Sequence, residues 1–226
     1  MASKYRFIDL FCGIGGFRLA LERLGAKCVF SSDIDVFAQQ TYFDNFGEKP
    51  FGDITQIEAK DIPSFDILTA GFPCQPFSYA GLCKGFEDQT RGTLFFDVCR
   101  ILAYHRPKMF FLENVKGLVS HNGGNTIKVI LDNLKKLGYD VHWKVLSSLD
   151  FGLPQKRERW YCVGFDKKVN FEFPQPLAIS PTLRDIVDLN DDNPALKLSK
   201  FEHDRIQYHF AHCHEEERVQ HDNSKY

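Results

Sequence analysis

The stretch Tyr5-Arg6-Phe7-Ile8-Asp9-Leu10-Phe11-Cys12-Gly13-Ile14-Gly15-Gly16-Phe17 decides the fold. Tyr5 to Leu10 reads as a buried strand and Phe11 to Gly16 as a tight glycine turn. Phe17, Ala20, Leu21 and Leu24 then recur at helical spacing until Gly25 stops the helix. Strand, glycine turn and helix in that order open an α/β unit. A turn of this kind lets a ligand approach the backbone and aims helix N–H groups at it.

The same alternation continues outward from this unit. Lys27 to Ser32 reads as a second strand, followed by Asp33-Ile34-Asp35 and a helix over Val36 to Phe46, with Phe51 to Ile54 as a short extended piece. Phe65 to Ala70 is a short apolar run with the look of a central strand. Leu94, Val98, Ile101 and Leu102 mark a helix, Lys108 to Leu112 a strand that ends in Glu113-Asn114. Ile127, Ile130, Leu131, Leu134 and Leu137 mark an amphipathic helix closed by Gly138. Strands near Tyr139 to Leu146 and Trp160 to Phe165 complete the pattern. Alternating strands and helices predict a doubly wound, mostly parallel sheet of Rossmann-like type.

Composition bounds the rest. A chain of 226 residues that is 43% hydrophobic can bury one sizeable core, so one α/β domain over 1–187 is expected. From about Asp188 apolar periodicity fades, and 188–226 reads as a linker or the start of a further region. A formal net charge of -2 supplies no general attraction for nucleic acid. The seven cysteines are odd in number and scattered, without a C-x-x-C pair, so they read as reduced thiols of a cytoplasmic protein. No signal peptide or membrane segment is expected. Five of the eight histidines (His203, His209, His212, His214 and His221) lie near Cys213 in the tail, but their spacing assigns no metal.

Four groups of residues carry chemistry. Gly71-Phe72-Pro73-Cys74-Gln75-Pro76-Phe77-Ser78 places a thiol just after a strand, where open α/β sheets bind ligands. Pro73 and Pro76 restrict the backbone, which suits the fixed presentation of one side chain; a structural cysteine is the alternative. The turn Gly13-Ile14-Gly15-Gly16 departs from the dinucleotide pattern G-x-G-x-x-G, because Arg18 stands in its third glycine position. Asp33, twenty residues after Gly13, could bind ribose hydroxyls, with Ile34 against an adenine face. Asp53-Ile54 repeats the pairing of acid and apolar residue. A nucleoside cofactor without an extended diphosphate fits this set; an ordinary turn with capping aspartates is the alternative.

Glu113 ends an apolar strand, where partial desolvation would raise its pKa and keep it protonated. It could equally be a capping or ion-paired residue. Gln155-Lys156-Arg157-Glu158-Arg159, if extended, puts Gln155, Arg157 and Arg159 on one face, and two guanidinium forks there suit anionic oxygens or a base carbonyl. A solvated edge strand is the bland counterpart.

Together Phe11-x-Gly13-x-Gly15-Gly16, Pro73-Cys74-Gln75, Glu113-Asn114-Val115 and Gln155-x-Arg157-x-Arg159 resemble the motifs of the DNA cytosine-5 methyltransferases in identity, order and approximate spacing. The resemblance runs from the first strand to about Asp188. It implies methyl transfer from S-adenosylmethionine to carbon 5 of a cytosine flipped out of double-stranded DNA, in a restriction-modification or DNA-marking system. It implies Cys74 as nucleophile, Glu113 at the N3 edge of the base, Arg157 as a contact to base and nucleophile loop, and Arg159 as a second arginine of that site. Phe11, Gly13, Asp33, Ile34, Asp53, Ile54, Pro73 and Leu94 fall on positions lining the cofactor pocket, with Ile14, Gly15 and Gly16 completing its turn. Residues 81–93 fall on the loop that closes over DNA.

Two departures stand out. Asp33 replaces the family's usual glutamate, and neither the variable recognition region nor the late Gly-Asn-Ser-Val-like motif is visible. That points to a partner carrying them, either a second polypeptide or a further stretch of chain. Rival readings are an RNA cytosine-5 methyltransferase, a non-catalytic subunit, and a nicotinamide oxidoreductase. Intact Cys74, Glu113 and Arg157 speak against the second, and Arg18 against the third.

Overall fold

The computed structural model describes residues 5–73, 94–186 and 197–212, the side chains at 209 and 210 excepted. The chain divides into two compact units, Met1–Pro181 and Thr182–Tyr226.

The first unit is built on a six-stranded sheet. Its strands are β1 (Arg6–Leu10), β2 (Lys27–Ser32), β3 (Ile67–Ala70), β4 (Met109–Val115), β5 (Asp140–Ser147) and β6 (Glu158–Phe165). They lie in the order β2-β1-β3-β4-β6-β5. The pairs β1–β2, β1–β3 and β3–β4 are parallel, whereas β6 runs antiparallel to both β4 and β5. The doubly wound, mostly parallel sheet read from the sequence is therefore present. Among its helices are α1 (Gly16–Arg23), α2 (Val36–Phe46), α3 (Leu94–His105) and α4 (Asn125–Lys136).

Alternation along the strands gives each face its own core. Ile8, Leu10, Leu68, Ala70, Phe110 and Leu112 pack with Val98, Ile101 and Leu102 of α3 and with Ile127, Ile130 and Leu134 of α4. On the other face Phe7, Cys28 and Ile67 pack with Leu21 of α1, Ala26 and Met109. Arg18, standing where a dinucleotide site would need glycine, is buried between α1 and α2. Its guanidinium pairs with Glu22 and Glu48, both at 2.8 Å, and lies 4.6 Å from the centroid of the Phe46 ring. Gly15 is required at the turn: its φ is +94°, and a Cβ there would stand 2.1 Å from Phe46 Cε2.

Strand β4 ends in Glu113-Asn114-Val115, as the sequence leads one to expect. Two sequence expectations need correction. Ile54 opens a short 3₁₀ turn capped by Asp53, not an extended piece. Strand β6 begins at Glu158, so Gln155 and Arg157 precede it and no continuous strand face carries both arginines. The 3₁₀ turn Ser148–Phe151 turns the chain back here: Ser148 Oγ donates to the Gln155 carbonyl at 2.6 Å, and the Ser148 amide donates to that of Arg157 at 3.1 Å.

In the second unit Leu183–Asp185 forms a 3₁₀ turn with a capping box between Thr182 and Asp185. Helix α5 (Lys200–His212) follows, its first turn braced by Glu202 accepting from both the Ser199 amide and hydroxyl. Every described side chain of α5 is exposed. His203 and His212 lie on it, whereas His209 as a side chain, Cys213, His214 and His221 lie outside the described residues. Among the described residues no cluster of His, Cys, Asp or Glu is arranged to hold a metal, and no helix is long and apolar enough to cross a membrane.

Candidate active site

The chemistry-bearing residues gather at one edge of the sheet because of strand direction. Strands β1 to β4 are mutually parallel, so their carboxyl ends meet at a common edge. That edge carries the glycine turn after β1, Asp33 after β2, Gly71 to Pro73 after β3, and Glu113 near the end of β4. Because β6 is antiparallel, its first residues return to the same edge, where Arg159 pairs in register with Val115.

At the β1–β2 end the turn is braced by a side chain. Asp33 Oδ2 accepts from the Gly13 amide at 2.7 Å and Oδ1 from the Asp35 amide at 2.9 Å. Gly13, at φ +53°, has the left-handed backbone that brings its N–H to the carboxylate. Phe11, also at positive φ, packs against the core, while Ile14 is exposed and Gly16 opens α1. Ile34 keeps 72% of its surface exposed beside Asp33. Asp53 caps the next turn by accepting from the Thr55 amide at 2.9 Å, with Ile54 buried behind it. Pro73 is exposed, and Leu94, half-buried, begins α3. An open apolar side chain next to a carboxylate at a glycine turn fits a nucleoside group. The edge thus brings together Phe11, Gly13, Asp33 and Pro73; Asp53 and Leu94 open the elements that follow.

Beneath this turn lies a group to which sequence reading gave no role. Asp9 is fully buried on β1, with Oδ1 accepting from the Thr69 hydroxyl at 2.9 Å and no partner on Oδ2. Burial pushes its carboxyl up to about 7, against the pull of Thr69 and of Arg18. Its signal in the sequence was a charged residue inside the apolar run Phe7-Ile8-Asp9-Leu10.

At the β4–β6 end the acid and one arginine meet. Arg159 Nε lies 3.0 Å from Glu113 Oε1, the two side chains being 20% and 25% exposed. Burial raises the Glu113 pKa, opposed by the charges of Arg159 and Arg157. Gly71 leaves room for this carboxylate, since a Cβ there would stand 3.4 Å from Glu113 Oε2. Arg157 is exposed just before β6. Glu113 also forms one wall of a cavity of about 630 Å³ whose lining includes Phe17, Phe111, Tyr161, Val163 and Phe171. Cys74 and residues 81–93 lie outside the described residues. The described cysteines, Cys12, Cys28, Cys99 and Cys162, are all buried and free, and burial pushes each thiol above its ordinary value.

A sheet of this topology with an acid, an arginine and a glycine turn at its carboxyl edge defines a Rossmann-like methyltransferase fold. The chain belongs to the C-5 cytosine-specific DNA methylases, whose family model matches residues 5–225. It is 59% identical over 192 residues to the Type II methyltransferase M.HaeII of Haemophilus aegyptius, covering 85% of this chain and 60% of that protein. To the Type II methyltransferase M.HhaI of Haemophilus parahaemolyticus it is 54% identical over 185 residues, or 80% and 56% of the two chains. The chain thus spans about 60% of the length of these curated relatives. Among solved structures, the Dnmt2 methyltransferase of S. pombe shares the fold at a TM-score of 0.69 and 23% identity, covering 91% of this chain and 67% of that one. A putative DNA modification methyltransferase encoded in an E. coli prophage aligns at a TM-score of 0.61 and 26% identity, with coverages of 78% and 52%.

Proposed function

We propose that this chain carries the catalytic and cofactor-binding part of a DNA cytosine-5 methyltransferase of a restriction-modification system, acting in the bacterial cytoplasm. The observation that carries the reading is the half-buried Glu113 carboxyl, held by Arg159 and lying over Gly71, three residues before Cys74. Family membership over 5–225 supports the substrate class. Residues 1–187 would hold catalysis and cofactor; 188–226 would lead into target recognition, supplied by a further stretch of chain or a second polypeptide.

Asp33, Ile34, Asp53, Ile54, Phe11, Pro73 and Leu94, with the turn Gly13 to Gly16, would hold S-adenosylmethionine. When bound, that cofactor supplies a methyl group activated by a sulfonium. The chain's own residues do the rest. The Cys74 thiolate adds to carbon 6 of cytosine, and the electron pair of the 5,6 double bond moves toward carbon 5 as charge builds at N3. Protonated Glu113 meets that charge with a hydrogen bond, which is why a raised pKa suits it. Arg159 orients the carboxyl, and Arg157 contacts the base and favours thiolate at Cys74, whose unperturbed pKa leaves it mostly protonated at neutral pH. Once carbon 5 bears the methyl group, it loses its proton and the C6–S bond breaks, restoring aromaticity and free Cys74. The cytosine reaches this site only when flipped from the duplex, at roughly a few kcal/mol.

Transfer of radiolabelled methyl groups to duplex DNA, with and without the recognition region of a relative in trans, tests the proposal. Label in DNA when both parts are present is expected; label in RNA but not DNA would favour the RNA reading.

A further inference from the structure

We propose that Asp9 is a positioning residue of the glycine turn that works as a neutral acid: its proton completes a hydrogen-bond chain beneath the turn and keeps the turn in the form that takes S-adenosylmethionine. The inference rests on the reading of Gly13 to Gly16 as part of the cofactor site. Asp9 lies on β1 just before the turn, in register with Ser31 of β2 and Thr69 of β3, and it is fully buried. The Thr69 hydroxyl lies 2.9 Å from Asp9 Oδ1 and 3.0 Å from the Ile8 carbonyl oxygen. A hydroxyl has a single hydrogen, so an ionised Asp9 would leave two acceptors competing for it and Oδ2 without a donor. A proton on Oδ1 resolves the conflict: Asp9 donates to Thr69, and Thr69 donates to Ile8. The remaining oxygen is then a neutral carbonyl, which costs much less to bury unpaired than half of an anion.

The groups around the carboxyl tie it to both flanks of the turn. Burial holds Asp9 at about 7, against the pull of Thr69 and of the Arg18 amide and guanidinium on α1. Asp33, which accepts from the Gly13 amide at 2.7 Å, faces Asp9 from the end of β2 and pushes it up. The other titratable groups nearby are Cys12 in the turn, Cys28 on β2 and Tyr42 on α2. Burial pushes all three above their ordinary values, so they stay uncharged near neutrality. The Arg18 charge is already matched by Glu22 and Glu48. Ionised, Asp9 would stand as a second anion near the one that braces Gly13, and would draw the Thr69 hydrogen away from Ile8. Gly15, which caps α1, brings no side-chain oxygen of its own to offset this.

The first test needs no ligand. Carbon-13 NMR of aspartate-labelled protein should show a carboxyl titrating near neutrality that Asp9→Asn removes. In wild type the Gly13 and Gly15 amide resonances should move with that midpoint. They should hold still in Asp9→Asn, whose side chain is neutral at every pH and donates to Thr69. Glycine amides without a neutral midpoint, or with the same midpoint in the variant, would overturn the proposal. Should the variant not fold, the wild-type spectra decide: glycine amides that follow a neutral carboxyl support it, and those that do not overturn it. In a second arm, calorimetry follows S-adenosylhomocysteine. With only the protonated form competent, wild-type affinity should fall about ten-fold from about pH 6 to about pH 8, as the competent fraction drops from about nine-tenths to about one-tenth. Asp9→Asn should bind alike at both, near the wild-type strength at the lower pH. Wild-type affinity that is level across this range, or that falls equally in the variant, would overturn the proposal. Absence of binding by wild type at any pH would count against the cofactor reading, and the glycine spectra would still decide the role of Asp9.

Discussion

Arg159 reaches Glu113 diagonally across the antiparallel pair β4–β6, Nε to Oε1 at 3.0 Å. The register puts Tyr161 directly opposite Glu113 and Arg159 opposite Val115, so the ion pair joins positions offset by two residues on one face. One guanidinium thereby limits how far burial can raise a carboxyl that the proposed chemistry needs protonated.

Removing that guanidinium should raise the Glu113 pKa further. The native carboxyl already titrates above its ordinary value, so it favours the folded state at low pH. That contribution is lost as pH rises through the native pKa, and Arg159→Ala moves the loss to higher pH. Carbon-13 NMR of glutamate-labelled protein, with Glu113→Gln to assign the resonance, reads this directly. An unchanged midpoint in Arg159→Ala would mean that the pair does not govern the acid.

Asp33 joins the glycine turn to the proposed ribose site through its bond to the Gly13 amide. Asp33→Ala should weaken S-adenosylhomocysteine binding in calorimetry by about ten-fold or more, the loss of a charge-assisted hydrogen bond of about 1.5–3 kcal/mol. Unaltered affinity would reduce Asp33 to a brace of the turn.

The buried Asp9 makes a prediction about stability. Its carboxyl titrates at about 7 in the folded chain against 3.8 ordinarily, so the folded state holds a proton that the unfolded chain has released between those values. Its contribution is therefore greatest below about pH 4 and is lost as pH rises toward 7. Asp9→Asn should flatten the fall of melting temperature across this window relative to wild type. Parallel curves for the two proteins would place the titration elsewhere.

Much of this architecture is legible in the sequence because it is local. Helix α2 and strand β2 follow from periodicity and capping residues, and the glycine turn from its three glycines. What escaped depends on register between distant segments. Nothing in Gln155 to Arg159 announces that Ser148 turns the chain back and delays β6 to Glu158. The diagonal from Arg159 to Glu113 exists only because β6 runs antiparallel beside β4, a pairing set by long-range packing. Asn114 is visible as part of Glu113-Asn114-Val115, but the donation from its Nδ2 to the Phe72 carbonyl at 2.8 Å needs β3 to end before β4 does.

Every step of the proposed cytosine-5 methyl transfer depends on Cys74 acting as the nucleophile. The most direct measurement is covalent capture on duplex DNA carrying 5-fluorocytosine, resolved on a denaturing gel with S-adenosylmethionine present and a relative's recognition region supplied in trans. Fluorine at carbon 5 cannot leave as a proton does, so the C6–S bond persists. Wild type should give a DNA adduct that Cys74→Ser abolishes while cofactor binding stays nearly intact. An adduct formed equally by Cys74→Ser, or none from folded wild type under these conditions, would contradict that role for Cys74.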